Sequence, residues 1–492
     1  MASQLPILQV AVPLLSAPAC AMLGSGRFAW ALATTVSAAT FFMSTALLAQ
    51  VLLGGPVAYE LGGWAAPWGI ELRVDAANAF VLLVVSGIAL IVAAAARLSV
   101  EKEIPRENIA LFYTAFLLCL AGLLGITVTG DAFNVFVFLE ISSLSTYSMI
   151  ALGKDRRALT ASFRYLIMGT IGATFILIGV GFMYMMTGTL NMADLAQRLP
   201  EVSDTRTVRA AFAFLIVGVS LKAALFPLHL WLPNAYAYAP SIVTTFLAAT
   251  ATKVALYVLL RFFFTVFGAD FSFNVMQLDY VLLPLSLIAA FAGSVVAIFQ
   301  EDIKRMLAYS SVAQIGYITL GISFATTTGV TGGIVHIFNH ALMKGALFLT
   351  LTCVVYRVGS AHIDTFAGLG KRMPWTMAAF VAGGLSLIGV PLTVGFISKW
   401  YLILAALEKG WWFVAALIVL TSLLAVIYIW RVVEVAYFRP ASDDEQAVTE
   451  APLSLLVPVW ILVAANVYFG IDASLTTGVA GTAAQQLLGV TP

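Results

Sequence analysis

A few side chains that trade protons stand where the surrounding sequence is almost pure hydrocarbon. Glu140, Lys222, Lys253, His336, His340, Lys344 and Lys399 all fall inside long apolar runs, and His229 lies at the edge of one. An ionisable group at the centre of a bilayer costs about 2.5–3.5 kcal/mol on insertion scales. Four lysines together would cost on the order of 10 kcal/mol unless paired or hydrated. Desolvation favours the neutral form of lysine, and a nearby carboxylate favours the charged form. A lysine whose carboxylate partner approaches or withdraws is therefore a proton switch. Glu140, in "DAFNVFVFLEISSLSTYSMIAL", is the carboxylate deepest in a run and the obvious partner for Lys222; Asp131 and Glu434 lie nearer run ends. The plain alternative is that each lysine reaches for the interface along its aliphatic stem. That explains one lysine near a span end better than four near mid-span.

The stretch "GGIVHIFNHALMKGALFLT" repeats the theme at helical spacing. His336, His340 and Lys344 recur at i, i+4, i+8 and form one stripe about 12 Å long. Imidazole titrates nearest neutrality, so the stripe suits a proton wire. A metal site is the rival, but "HIFNH" lacks the glutamate of a zinc-protease motif. Lys344 on the same face would also repel a cation. The structural alternative is that both histidines bond to neighbouring helices.

Prolines beside two of the lysines interrupt the helices that carry them. In "VGVSLKAALFPLHLW", Pro227 cannot donate to the carbonyl of Ala223, and Pro233 should free the carbonyl of His229 in the same way. In "GGLSLIGVPLTVGFISKWYLI", Gly389, Pro391 and Gly395 precede Lys399. Broken backbone at membrane depth is tolerated only where it lines a cavity or is covered by protein. Two interrupted helices in separate halves, each near a lysine, is a pattern of transporters built from inverted repeats. The glycine-rich "GTIGATFILIGVG" at 169–181 follows no strand, so close helix packing explains it better than nucleotide binding.

Composition fixes what must position these groups. Of the 492 residues 61% are hydrophobic and only 10% charged, with mean hydropathy +1.00, against about 25% charged in a soluble domain. The net charge of +1 suggests neither nucleic acid nor an acidic partner. Cys20, Cys119 and Cys353 all lie in apolar runs and argue against a disulfide framework or a zinc site. The chain reads as an all-α polytopic membrane protein of about fourteen helices, centred near 14, 40, 87, 118, 142, 174, 218, 252, 288, 314, 344, 386, 425 and 464. The first run lacks a basic start and reads as a retained helix. Besides the four buried lysines, the odd-numbered loops carry the larger share of Lys and Arg, including "KDRR" at 154–157, Lys304, Arg305, Lys371 and Arg372. Even-numbered loops hold Arg73, Arg198, Arg206, Arg209, Arg261 and Lys409. The positive-inside rule makes the odd loops cytoplasmic and places both termini outside. The longest outer segments are 54–75 and 190–209, the second a candidate interfacial helix; the longest inner ones are about 97–108, 357–373 and 438–451. None can hold a catalytic domain.

The motifs together resemble one family. "FLEISSLSTYSMIALG", "SLKAALFPLHLWLPNAYAYAPS", "TKVALYVLLR", "HIFNHALMKGALF" and "PLTVGFISKW" are similar to the antiporter-like membrane subunits shared by respiratory complex I and the Mrp-type multisubunit cation/proton antiporters. The run "MTGTLNMADLA" favours the D-subunit group of the Mrp type. The smallest bacterial complex I subunit of this kind, which also has lysine at the Lys399 position, is the nearest rival. The resemblance implies one membrane domain over 1–492, with inverted five-helix repeats at 109–265 and 276–438, discontinuous helices near 227 and 391, and flanking helices at 1–97 and 452–475. It implies Glu140 and Lys222 as a coupled pair, Lys253 as central relay, His336, His340 and Lys344 as the continuing axis, and Lys399 as the opening toward the other side. The expected function is proton translocation in a Na+ or K+/proton antiporter of a bacterial plasma membrane, assembled with a larger homologous subunit and small hydrophobic subunits. No cofactor is implied. The alternative is a proton-pumping subunit of a redox-driven quinone reductase; a scaffold bundle and a self-contained solute carrier fit the buried charges less well.

Overall fold

The computed structural model describes residues 4–22, 24–440 and 448–490. Residues 441–447 of the expected inner segment and the extreme termini lie outside the described residues. The chain opens with α1 (Leu5–Met22) and α2 (Gly26–Gly54). Two short antiparallel strands follow, β1 (Val57–Glu60) and β2 (Glu71–Val74), paired from Val57↔Val74 to Glu60↔Glu71. Next come α3 (Ala76–Glu103), α4 (Ile109–Val128), α5 (Ala132–Ala151), α6 (Arg156–Thr187) and the short α7 (Met192–Arg198). The segment expected to lie at the interface, 190–209, thus holds α7 and a tight turn. Then follow α8 (Arg206–Ala223), α9 (Leu232–Tyr238), α10 (Ser241–Ala249), α11 (Ala251–Leu260), α12 (Asp279–Ile298), α13 (Ile303–Ser323) and α14 (Thr327–Val358). The chain closes with α15 (Leu369–Arg372), α16 (Pro374–Ile388), α17 (Val394–Glu408), α18 (Trp412–Phe438), α19 (Leu453–Ile471) and α20 (Ser474–Leu488).

Each of the expected span centres falls within a helix. Among the described residues, eleven helical stretches are long and apolar enough to cross a membrane. The helices near 218, 314 and 386 are not among them, for physical reasons. Arg206, Arg209 and Lys222 load α8 with charge, α13 carries Ser310, Ser311, Gln314 and Thr319 along its length, and α16 is stopped after 15 residues by a break. The hairpin and α20 were not expected; α20 packs on α3 and α14.

Small polar residues start the helices where the sequence changes character. Asp75 accepts from the N–H groups of Ala77 and Asn78, while the Asn78 side chain accepts from the Asp75 N–H, a reciprocal cap on α3. Asp131, Asp155, Thr205, Asp302 and Thr326 cap α5, α6, α8, α13 and α14 in the same sense. Glycines set the close crossing of α6 on α8: a Cβ on Gly218 would stand 2.6 Å from the Gly172 carbonyl oxygen. That accounts for much of the glycine run at 169–181.

The architecture converges on α14. It packs against α3, α10, α13, α16, α17, α19 and α20, and every residue from Gly329 to Val354 is buried. A 32-residue helix is about 48 Å long, so α14 runs the depth of the bundle with no side facing out along its middle. Whatever its polar residues do is shielded from lipid.

Candidate functional site

Three helices break beside a lysine, and two of the breaks, between α10 and α11 and between α16 and α17, lie against this central helix. At the first, α8 stops after Ala223 because Ala224 turns left-handed (φ 55°, ψ 40°). Lys222 occupies the last turn. Its Nζ donates to Glu140 Oε1 at 3.1 Å and to Ser143 Oγ at 2.8 Å. The lysine side chain is 4% exposed and the glutamate 25%, so the ion pair is covered more deeply at the lysine than at the glutamate. Trp231 Nε1 donates to the Leu221 carbonyl at 2.9 Å and stacks on Tyr165 at 3.9 Å, holding the break in shape. Pro227 lies inside the gap between α8 and α9. Pro233 does not free the His229 carbonyl as expected. That oxygen accepts from Leu232 N–H at 3.0 Å, and Pro233 sits in the first turn of α9, where its fixed φ suits a helix start.

The second break was not read from sequence. Between α10 and α11, Thr250 leaves helical geometry (φ −127°, ψ −62°). Lys253, fully buried, folds back so that Nζ donates to the Ala248 carbonyl and lies 3.4 Å from Thr252 Oγ1. Neither proline nor glycine marks this site; "AATATKVAL" carries only threonine–lysine spacing as a signal.

At the third, α16 ends on Gly389 (φ 92°) and α17 begins at Val394 after Pro391 and a left-handed Leu392 (φ 70°). Lys399 Nζ reaches back across the gap to the carbonyls of Leu387 at 3.0 Å and Ile388 at 2.8 Å, over the Tyr317 ring at 5.1 Å. A side chain at position 395 is excluded, since a Cβ on Gly395 would lie 1.8 Å from the Ser386 oxygen.

Two of the three breaks share an electrostatic cause; Lys222 is met by Glu140 and Ser143 instead. At the second and third breaks the lysine bonds carbonyls at the end of a half-helix, which carries about half a negative charge, and a cation there gains roughly 0.3–2 kcal/mol. That offsets only part of the burial cost of about 2.5–3.5 kcal/mol per charge. An ammonium held this way is tolerated rather than locked in place. Lys399→Glu tests the sign of the site. A carboxylate would face two carbonyls with no donor, so the assembled protein should lose about 1–3 kcal/mol of stability and transport should fall. Thermal unfolding and transport assays read both; unchanged values would mean that the sign of the charge does not matter.

On α14 the three stripe residues are all fully buried. His336 Nε2 donates to Gln314 Oε1 at 2.9 Å, leaving Nδ1 to accept from the Ser398 hydroxyl at 2.7 Å. Asn339 Nδ2 donates to the same hydroxyl at 3.1 Å. Lys344 Nζ donates to the Leu307 carbonyl at 2.8 Å and to Ser310 Oγ. His340, stacked beside His336 with ring centroids 6.2 Å apart, has no partner for either ring nitrogen among the described residues. It also lies within electrostatic reach of Lys253 and Lys344. A buried imidazole with neither nitrogen hydrogen-bonded is costly to the fold. Between Lys222 and the first turn of α11 lies a cavity of about 20 Å³ lined by Ser143, Thr146, Lys222, Ala251 and Val254, roughly the room one water needs. Among the described residues no cluster of three or more His, Cys, Asp or Glu side chains could hold a metal.

Ser143, Gln314, Ser398 and Ser310 were missed because neutral hydroxyls and amides carry no alarm in a sequence. Two cations expected in loops prove to be buried. Lys304 donates to the Ala239 carbonyl at 3.1 Å, and Arg261, at the end of α11, pairs with Asp75.

Comparison with known proteins adds an independent line. The family model "NADH:quinone oxidoreductase/Mrp antiporter, TM" matches residues 129–425. The chain is 44% identical over 479 residues to the N subunit of the NADH-quinone oxidoreductase of Desulforudis audaxviator, covering 94% of each. It is 31% identical over 431 residues to the D subunit of the Na(+)/H(+) antiporter of Alkalihalophilus pseudofirmus, covering 88% of this chain and 86% of that one. A chain in the structure of the Mrp complex from Dietzia sp. superposes with a TM-score of 0.90 at 27% identity, covering 100% of this chain and 98% of that one.

Proposed function

Because the chain belongs to the NADH:quinone oxidoreductase/Mrp antiporter family of membrane proteins, we propose that it is the proton-translocating subunit of a multisubunit monovalent cation/proton antiporter. The observation that carries the reading is the Glu140–Lys222 pair, partly exposed at one end and continued inward by buried bases at Lys253, His340, His336, Lys344 and Lys399. Protons would enter at Glu140, pass to Lys222 as the pair opens, and move through Lys253 to the stripe on α14. Lys399, across the break between α16 and α17, would release them toward the other side. The cation exchanged would be Na+ or K+.

The repeats fit this reading. Residues 109–265 and 276–438 each contain a span interrupted near a lysine, at Lys222 and at Lys399, as expected of halves related by inversion. The loop charges favour both termini on the outer side of a bacterial plasma membrane.

A second reading keeps the same internal residues and takes its energy from redox chemistry in partner subunits. It is favoured by the 44% identity to a subunit of an NADH-quinone oxidoreductase. Purification from native membranes in mild detergent separates the two. Co-purifying small hydrophobic subunits with a larger homologous one would support the antiporter. Peripheral flavin and iron–sulfur subunits would overturn it in favour of the redox-driven pump.

A further inference from the structure

The two oxygens that hold Lys222 differ in what they can do. Nζ stands 3.1 Å from Glu140 Oε1 and 2.8 Å from Ser143 Oγ. Both partners come from α5, one turn apart, so a single helix face receives the ammonium. An ionised carboxylate can only accept a hydrogen bond, whereas a hydroxyl both donates and accepts. Ser143 is buried and lies on the wall of the small cavity beside Lys222.

The Ser143 hydrogen is not committed to the helix that carries it. Along α5, Ser142, Ser145, Thr146 and Ser148 each donate to a carbonyl three or four residues back, the usual use of a hydroxyl within a helix. Among the described residues Ser143 makes no such bond; its oxygen accepts from Lys222. The Tyr147 hydroxyl, one turn further on, has no hydrogen-bond partner. Ser310, the hydroxyl beside Lys344, supplies the contrast. It accepts from its lysine but gives its hydrogen to the Leu307 carbonyl at 2.9 Å.

We propose that Ser143 is a positioning residue that holds Lys222 in both of its protonation states, accepting from the ammonium and donating to the neutral amine. In the charged state both oxygens accept from Nζ. Once the proton has left and Glu140 is ionised, the nitrogen presents a lone pair that a carboxylate cannot meet. Rotation of the Ser143 O–H meets it without drawing the lysine out of the last turn of α8. Left unmet, that lone pair would be costly, because much of the surrounding wall is Leu123, Ile126, Leu139 and Val254. The amine therefore stays beside Glu140, in place for the next proton.

Because this role presupposes proton translocation, Lys222→Ala is carried as a reference. The parent complex and each variant are reconstituted in vesicles, and proton flux per assembled complex is followed after an imposed gradient. Ser143→Ala removes the hydroxyl, while Ser143→Thr and Ser143→Val are a pair of nearly equal shape that differs in it. Loss of a hydrogen bond to a charged group should slow flux about tenfold in Ser143→Ala and Ser143→Val, and Ser143→Thr should recover most of the rate. Parental flux in Ser143→Ala, or equal losses in Ser143→Thr and Ser143→Val, overturns the role. If neither branched variant assembles, Ser143→Ala decides. Unfolding temperature gives a second readout that does not depend on transport. Ser143→Ala should lower it in the parent and leave it unchanged in the Lys222→Ala background. An equal fall in both backgrounds means that Ser143 does not act through Lys222, and overturns the role as well. Parental flux in Ser143→Ala with none in Lys222→Ala brings down the Ser143 role alone. Parental flux in Lys222→Ala brings down the proton-translocating reading instead.

Discussion

Lys222→Ala should abolish cation-linked proton movement, a fall of about 100-fold or more, while the complex still assembles. The asymmetric burial of the ion pair is the reason for both halves of this result. Without Lys222, what remains is Glu140, the less buried member of the pair with a quarter of its side chain exposed, so the fold loses less. The reverse substitution, Glu140→Ala, leaves an ammonium 4% exposed without its counter-charge, the situation that costs about 3–5 kcal/mol when a buried pair is broken. Glu140→Ala should therefore be equally inactive but the less stable of the two. Lys222→Arg separates charge from proton release. Arginine keeps the pair with Glu140 yet holds its proton at any working pH, so it should assemble and not transport. Flux assays at matched expression decide the matter: parental rates in Lys222→Ala would remove the pair from the proton path, and parental rates in Lys222→Arg would mean that Lys222 supplies only charge.

Much of this was readable before any coordinates, for definite reasons. A span needs about 20 apolar residues, so each helix centre stands out, and a charge in such a run is conspicuous. The Glu140–Lys222 contact bridges 82 positions, but a deep carboxylate has few partners to choose from. Proline and glycine announced the breaks before α9 and α17, because their backbone limits are local. Other features depend on neighbours distant in sequence. The break before Lys253 lies among alanines and threonines, which helices also accommodate, so nothing local announces it. Arg261 resembled a loop cation because its partner Asp75 is 186 residues away. The hairpin consists of two four-residue strands, "VAYE" and "ELRV", too short for alternation to register. In α20, "SLTTGVAGTAAQQLL" has no continuous apolar run; its place depends on α3 and α14.

Lys253→Met should separate function from stability in the opposite way to Glu140→Ala, losing transport while keeping or raising the thermal stability of the assembled complex. Lys253 is fully buried, and among the described residues no carboxylate pairs with it. Its compensation is the Ala248 carbonyl and the Thr252 hydroxyl. Methionine fills nearly the same volume and removes a charge that costs about 2.5–3.5 kcal/mol at mid-membrane. Against that stands about 1–3 kcal/mol for leaving one buried carbonyl unmet, so the balance is neutral to favourable. A buried group that the fold would be no worse for losing is maintained for something other than folding. The measurement is paired, proton flux beside the unfolding temperature of the same preparation. Lost flux with an unchanged or higher unfolding temperature would make Lys253 a working proton site. A fall in unfolding temperature with flux retained would mean that the lysine serves to pin the break between α10 and α11, and the proton path would then have to pass elsewhere.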